Sequence, residues 1–191
     1  MKFFIWFFMF SGLLFAQTLK ISNFVDYIDI EVLKDFASKY DVEIIYDTHA
    51  DSEVIYNKLI NNSETYDVVI ITSHYIQKLK KRDLIIPIDK TKLTNYKNVD
   101  QKFLEGNFKD VENYTTTYFW GSIGLYVNQN KLSRNFDSWN DLWSTELKKS
   151  ILVSKEPLDV FAIVLKSLGY SANTTNEQEI KKAYEKLLLL I

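Results

Sequence analysis

Blocks of apolar and polar positions divide the first half of this chain into short elements of alternating period. "LKISNF" (19–24) reads as a strand, and Ile28, Val32, Leu33, Phe36 and Tyr40 then recur at helical spacing. "VEIIY" (42–46) is a second strand, after which Asp51 or Ser52 caps a helix running to about Ile60, with Val54, Ile55 and Leu59 on its inner face. "YDVVIIT" (66–72) is a continuous apolar run, the pattern of a strand covered on both sides, and a helix from Ser73 to about Lys81 follows. This β-α-β-α-β-α order predicts an α/β layer built on a parallel sheet.

The pattern weakens between Asp83 and Asp110, where "PIDKTKLTNYKN" reads as a surface excursion rich in turn formers and lysine. Strand-like segments return at 114–120 and 123–128, on either side of Gly121. A short helix at 138–143, a strand at 150–154, a helix from Pro157 to about Leu168 and a last helix from about Asn176 complete the series. The second half thus reads as the beginning of another α/β lobe. Its final residues, "YEKLLLLI", bring an apolar face without the Gly or Asn that usually ends a helix, so the chain is expected to stop in mid-domain.

Residues 1–16 place Lys2 ahead of an apolar run, Phe3 to Phe15, and a small residue, Ala16, which is the layout of a secretory signal peptide cleaved after Ala16. The run is too short for a mature membrane span. With 47% hydrophobic residues, the remainder can form its own core, and it must, because a chain without cysteine has no disulfides to rely on. The absence of cysteine also excludes a thiol nucleophile and a thiolate zinc site. A net charge of −2 offers no broad positive field for nucleic acid and favours a cationic or neutral small partner.

Hydrolytic chemistry finds little support. His49 and His74 fall in separate turn-like positions, and there is no Gly-x-Ser-x-Gly elbow, P-loop or Gly-x-Gly-x-x-Gly sequence. "DTHAD" (47–51) alternates acids with a histidine, but it fits a capped strand-to-helix turn better than a metal site. Phe24 and Tyr27 bracket Asp26 where the first strand feeds its helix, the edge at which open α/β sheets bind ligands, and Thr72, Ser73 and His74 occupy the equivalent edge after the third strand. In "ILVSKEPLDVF" (151–161), Glu156 and Asp159 stand three residues apart around Pro157, a pattern that suits a helix start.

Several motifs together resemble the periplasmic spermidine/putrescine-binding proteins of ABC uptake systems, a group of extracellular solute-binding proteins. They are "SNFVDYI", "YDVVIITSHY", "IDKTKLTNYKN", "YFWGSIGLYVN", "DSWNDLW" and "LGYSANTTNEQEIKKAY", and the likeness runs from about Leu19 to the last residue. It implies a two-lobed, type II periplasmic-binding-protein-like α/β fold. The first lobe would occupy residues 17–128, crossover strands included, and an incomplete second lobe 129–191, after a signal peptide at 1–16. It also implies ligand contacts at Phe24, Asp26, Tyr27, Thr72 and His74, with Glu156 and Asp159 as the acids that meet a substrate ammonium group. Phe24 stands where the family has Trp, Val25 lacks a hydroxyl expected there, and His74 replaces a Tyr.

The resemblance therefore predicts a non-enzymatic, monomeric periplasmic protein without a cofactor, which would hold a polyamine in an interlobe cleft and deliver it to a membrane permease. Carboxylates would replace the hydration of a polycation and rings would cover its methylene stem, since an unpaired charge in a closed cleft costs several kcal/mol. The alternatives are a different small solute, or a truncated family member without a competent cleft; a chain holding only half the site would bind weakly or not at all.

Overall fold

The computed structural model describes residues 17–103 and 109–190, and the predicted leader lies outside them. The chain gathers into two compact units that divide between Phe119 and Trp120. The first is organised by a parallel sheet of order β2-β1-β3, formed by β1 (Gln17–Phe24), β2 (Val42–His49) and β3 (Val68–Val69). The helices α1 (Ile30–Tyr40), α2 (Ser52–Ile60) and α3 (Ser73–Lys80) follow β1, β2 and β3 in turn.

Each junction has a local cause. Asp29 precedes α1 and accepts a hydrogen bond from the Glu31 N–H at 2.9 Å. Asp41 ends the helix at φ 52°, a left-handed position that Asp tolerates. Asp51, one of the two residues the sequence offers as a cap, accepts from the Val54 N–H at 3.0 Å. The core of this unit collects Leu33, Ile55, Tyr75, Ile76, Leu79 and Val111, of which Ile55 is 0% exposed.

Several expectations are corrected. The third strand forms ladder pairs only at Val68 and Val69, extended by Asp67 N–H to the Lys20 carbonyl and Ile70 N–H to the Ser22 carbonyl, both 2.9 Å. It lies at an edge of the three-stranded sheet, and Val68 is 44% exposed, so the apolar run is not covered on both sides. Val54 and much of the apolar stripe of α1, including Val32, Phe36 and Tyr40, are likewise exposed, leaving Ile55 and Leu33 as the buried anchors of their helices. The predicted strands at 114–120, 123–128 and 150–154 pair with nothing in the sheet. Their composition favours extended backbone, but an extended segment becomes a strand only when a neighbour takes its hydrogen bonds.

In the second unit, α4 (Pro157–Ser167) packs with α5 (Glu177–Leu187) around Val164, Leu165 and Ala183, against which Trp143, Phe161, Leu168, Tyr170 and Leu187 are placed. Gly169, at φ 79°, ends α4: its N–H donates to the Lys166 carbonyl at 3.0 Å and the Tyr170 N–H to the Leu165 carbonyl at 2.9 Å. That paired arrangement is a Schellman motif. Asn176 caps α5 by accepting from the N–H groups of Gln178 and Glu179. The predicted helix at 138–143 is a 3-10 segment, Trp139–Trp143, opened by a reciprocal Ser138–Asp141 capping box. At three residues per turn, Trp139 and Trp143 do not share one face; Trp143 reaches the core and donates its indole N–H to the Lys186 carbonyl at 2.9 Å.

Candidate functional site

The carboxyl end of β1 delivers Phe24 to the edge of the sheet, and the chain turns at once through Asp26, which sits at φ 61°. This left-handed step, which Asp adopts at lower cost than most side chains, reverses the backbone and brings Tyr27 back against Phe24 with ring centroids 4.9 Å apart. Tyr27 in turn meets Phe119 edge-on at 5.1 Å, and Phe119 meets Tyr118 at 4.5 Å. The Tyr118 hydroxyl donates to the Tyr27 carbonyl at 2.8 Å, fastening this distant segment to the β1 edge. Phe119 is 61% exposed and Tyr27 and Asp26 are exposed as well, so the ring faces and a carboxylate are available at one edge. A cation over such a face gains about 0.5–2 kcal/mol.

Of the residues singled out in the sequence, Phe24 and Tyr27 are thus in contact, with Asp26 between them in the chain. Thr72 precedes α3 but does not cap it; its hydroxyl donates to Ser52 Oγ at 2.6 Å, and its backbone N–H reaches the same oxygen at 3.0 Å. His74 lies in the first turn of α3 with its ring 4.3 Å from that of Tyr75. Thr72 thus ties the start of α3 to the start of α2.

Glu156 and Asp159 belong to the second unit. Glu156 is the residue before α4 and Asp159 lies in the first turn, where the partial positive charge of the helix end favours both acids. Ser154 links them: its hydroxyl oxygen accepts from the Glu156 N–H at 3.1 Å and donates to Asp159 Oδ2 at 3.5 Å. Both side chains are partly buried. The helix-start reading of these acids is met.

Sequence reasoning passed over Tyr118 and Phe119 as wall residues, although the unbroken aromatic run 118–120 was the available signal. It also passed over His49, read as a turn residue. His49 is the last residue of β2, 3% exposed, with Nδ1 hydrogen-bonded to Ser22 Oγ at 3.0 Å and its ring 4.5 Å from that of Phe24. Burial holds the His49 imidazole below the ordinary histidine range, against the opposing pull of the Ile70 carbonyl and the carboxylates of Asp47 and Asp51. A shallow depression of about 340 Å³ is lined by none of these residues; Lys92, Leu93, Tyr96 and Thr117 are among those that form it. A lysine there suits a cation poorly.

A parallel α/β sheet with exposed rings at its carboxyl edge is the arrangement of a small-molecule binding lobe. The chain belongs to the bacterial extracellular solute-binding protein family, whose model matches residues 63–189. It is 36% identical over 177 residues to the spermidine/putrescine-binding periplasmic protein of Salmonella typhimurium, covering 92% of this chain and 51% of that protein. It is 31% identical to the putrescine-binding periplasmic protein PotF of Escherichia coli, with 91% and 50% covered. The structure of the spermidine/putrescine ABC transporter substrate-binding protein PotD from Streptococcus pneumoniae superposes with a TM-score of 0.76 at 33% identity, over 92% of this chain and 54% of that one. The chain spans about half the length of the curated relatives it matches. Among the described residues, no helix is long and apolar enough to cross a membrane.

Proposed function

We propose that this chain carries the ligand-recognition residues of a periplasmic polyamine-binding protein that serves an ABC permease as a monomer. In this reading Phe24 and Tyr27 cover the methylene stem of spermidine or putrescine, with Phe119 extending the wall. Asp26, Thr72 and His74 supply polar contacts, and the carboxylates of Glu156 and Asp159 pair with ammonium groups. Residues 1–16 direct export, residues 17–128 form the first lobe and residues 129–191 begin the second. One observation carries the reading: Phe24, Tyr27 and Phe119 form a continuous run of rings at the carboxyl end of β1, next to an exposed carboxylate. The names of the relatives, which specify spermidine and putrescine, support the same ligand class.

The test is a thermal-shift titration of the chain with spermidine and with putrescine. A competent site at 100-fold excess of ligand over Kd adds about 2.7 kcal/mol of stability. Glu156→Gln and Asp159→Asn each weaken spermidine binding by roughly tenfold or more, because an ammonium left without its carboxylate keeps its desolvation cost. No shift at millimolar ligand would leave a family member without a competent cleft.

A further inference from the structure

Behind the ring wall lies a histidine that the proposed ligand contacts do not use. We propose that neutral His49 is the positioning residue of this wall, and that protonating it disables the wall for a cationic ligand; the second clause rests on the polyamine reading above. His49 holds residues 24–25 in two ways. Its backbone is paired in register with Phe24 and its carbonyl accepts the Val25 N–H at 3.3 Å, while its ring backs the Phe24 ring at 4.5 Å with the planes inclined by 56°. Ser22, itself 0% exposed, fixes Nδ1 and so the plane of the imidazole. Phe24 then sets Tyr27, and Tyr27 sets Phe119. A displacement of the one buried ring thus reaches every exposed one.

The chemistry of the pocket selects the neutral form. A serine hydroxyl can donate or accept, so Ser22 satisfies Nδ1 in either tautomer, whereas the buried Nε2 has no hydrogen-bond partner. An imidazolium there would carry a buried full charge, offset only in part by the Ile70 carbonyl. The charged groups that act on it are Asp47 of β2 and Asp51 at the head of α2, which favour protonation, and Lys58 of α2, which opposes it. From β1 comes the Ser22 hydroxyl, and from beyond β3 the Ile70 carbonyl. Once protonated, the ring would occupy one π face of Phe24 with its own charge and repel a second cation approaching the other face.

Two measurements decide the matter. In the ligand-free protein with 13C-labelled Phe and His, the Phe24 ring signals are expected to move as the pH is lowered through the His49 titration, which burial places below the ordinary histidine range. Over the same titration spermidine affinity should fall roughly tenfold in the wild type and stay nearly level in His49→Phe, which keeps a ring behind Phe24. His49→Gln provides a second, polar replacement that can still bond Ser22, and it too should lose the pH dependence. Phe24 signals that ignore the His49 titration would overturn the positioning role whether or not spermidine binds. Signals that follow it, in a protein that binds no spermidine at any pH, would support the positioning role and overturn the polyamine reading. An equal pH slope in wild type and both variants would overturn the proposed switch.

Discussion

Asp47 illustrates what a single side chain does at the flank of the sheet. Its Oδ2 accepts from Lys58 Nζ at 2.9 Å and from the Tyr66 hydroxyl, tying β2 to α2 and to the approach to β3. The Lys58 hydrogen bond, followed by that of Tyr66, holds the Asp47 carboxyl below the ordinary aspartate range. With its folded-state pKa depressed, its stabilisation is fully present above the unfolded value near pH 4 and is lost as the pH falls through the folded value. Because the Asp47 and Lys58 side chains are each 34% exposed, solvent screening keeps the contribution small. Asp47→Asn is expected to lower unfolding free energy by about 1 kcal/mol near neutral pH in urea titrations, with the gap between variant and wild type closing toward about pH 3.

At the scale of elements, the helices were legible in the sequence where their ends carry chemistry. Asp51, Pro157 and Asn176 mark starts that the structure places within a residue or two of expectation, because a cap is a local hydrogen bond and needs no distant partner. Strand formation is not local, and so 114–120, 123–128 and 150–154 were misread from composition. The same distinction governs the candidate site. Phe24 and Tyr27 could be paired from sequence because only Val25 and Asp26 separate them, whereas the part played by Phe119 and His49 depends on contacts made across 92 and 25 residues, counted from Tyr27 and from Phe24. Gly169 offers a direct test of a local signal. A Cβ added there would meet nothing within 4 Å, so Gly169→Ala should cost only the left-handed backbone strain, about 1 kcal/mol, and Gly169→Asn less. Chemical denaturation followed by circular dichroism reads both, and a neutral Gly169→Ala would mean that the Schellman turn does not limit the stability of α4.

Taken as a whole molecule, the chain presents large apolar side chains to water in both units: Ile86, Tyr126, Leu152 and Leu189 are all at least 79% exposed, and Leu152 is 99% exposed. A surface of this kind binds the hydrophobic dye ANS and promotes association between copies. Leu152→Lys and Ile86→Lys are expected to reduce dye fluorescence and concentration-dependent light scattering while changing the melting temperature little, since neither side chain has packing to lose. A drop of several degrees in either variant would place that residue in a packed environment after all. The order β2-β1-β3 carries a different consequence, for timing. The central strand is the first made, yet Ile21 finds its neighbours only at Tyr46, 25 residues later, and at Val68, 47 residues later. No hairpin can template such pairing, so each strand must await the helix that carries the chain back. The central strand of a polypeptide made in this order keeps one edge open after β2 has joined it, until Val68 and Val69 emerge.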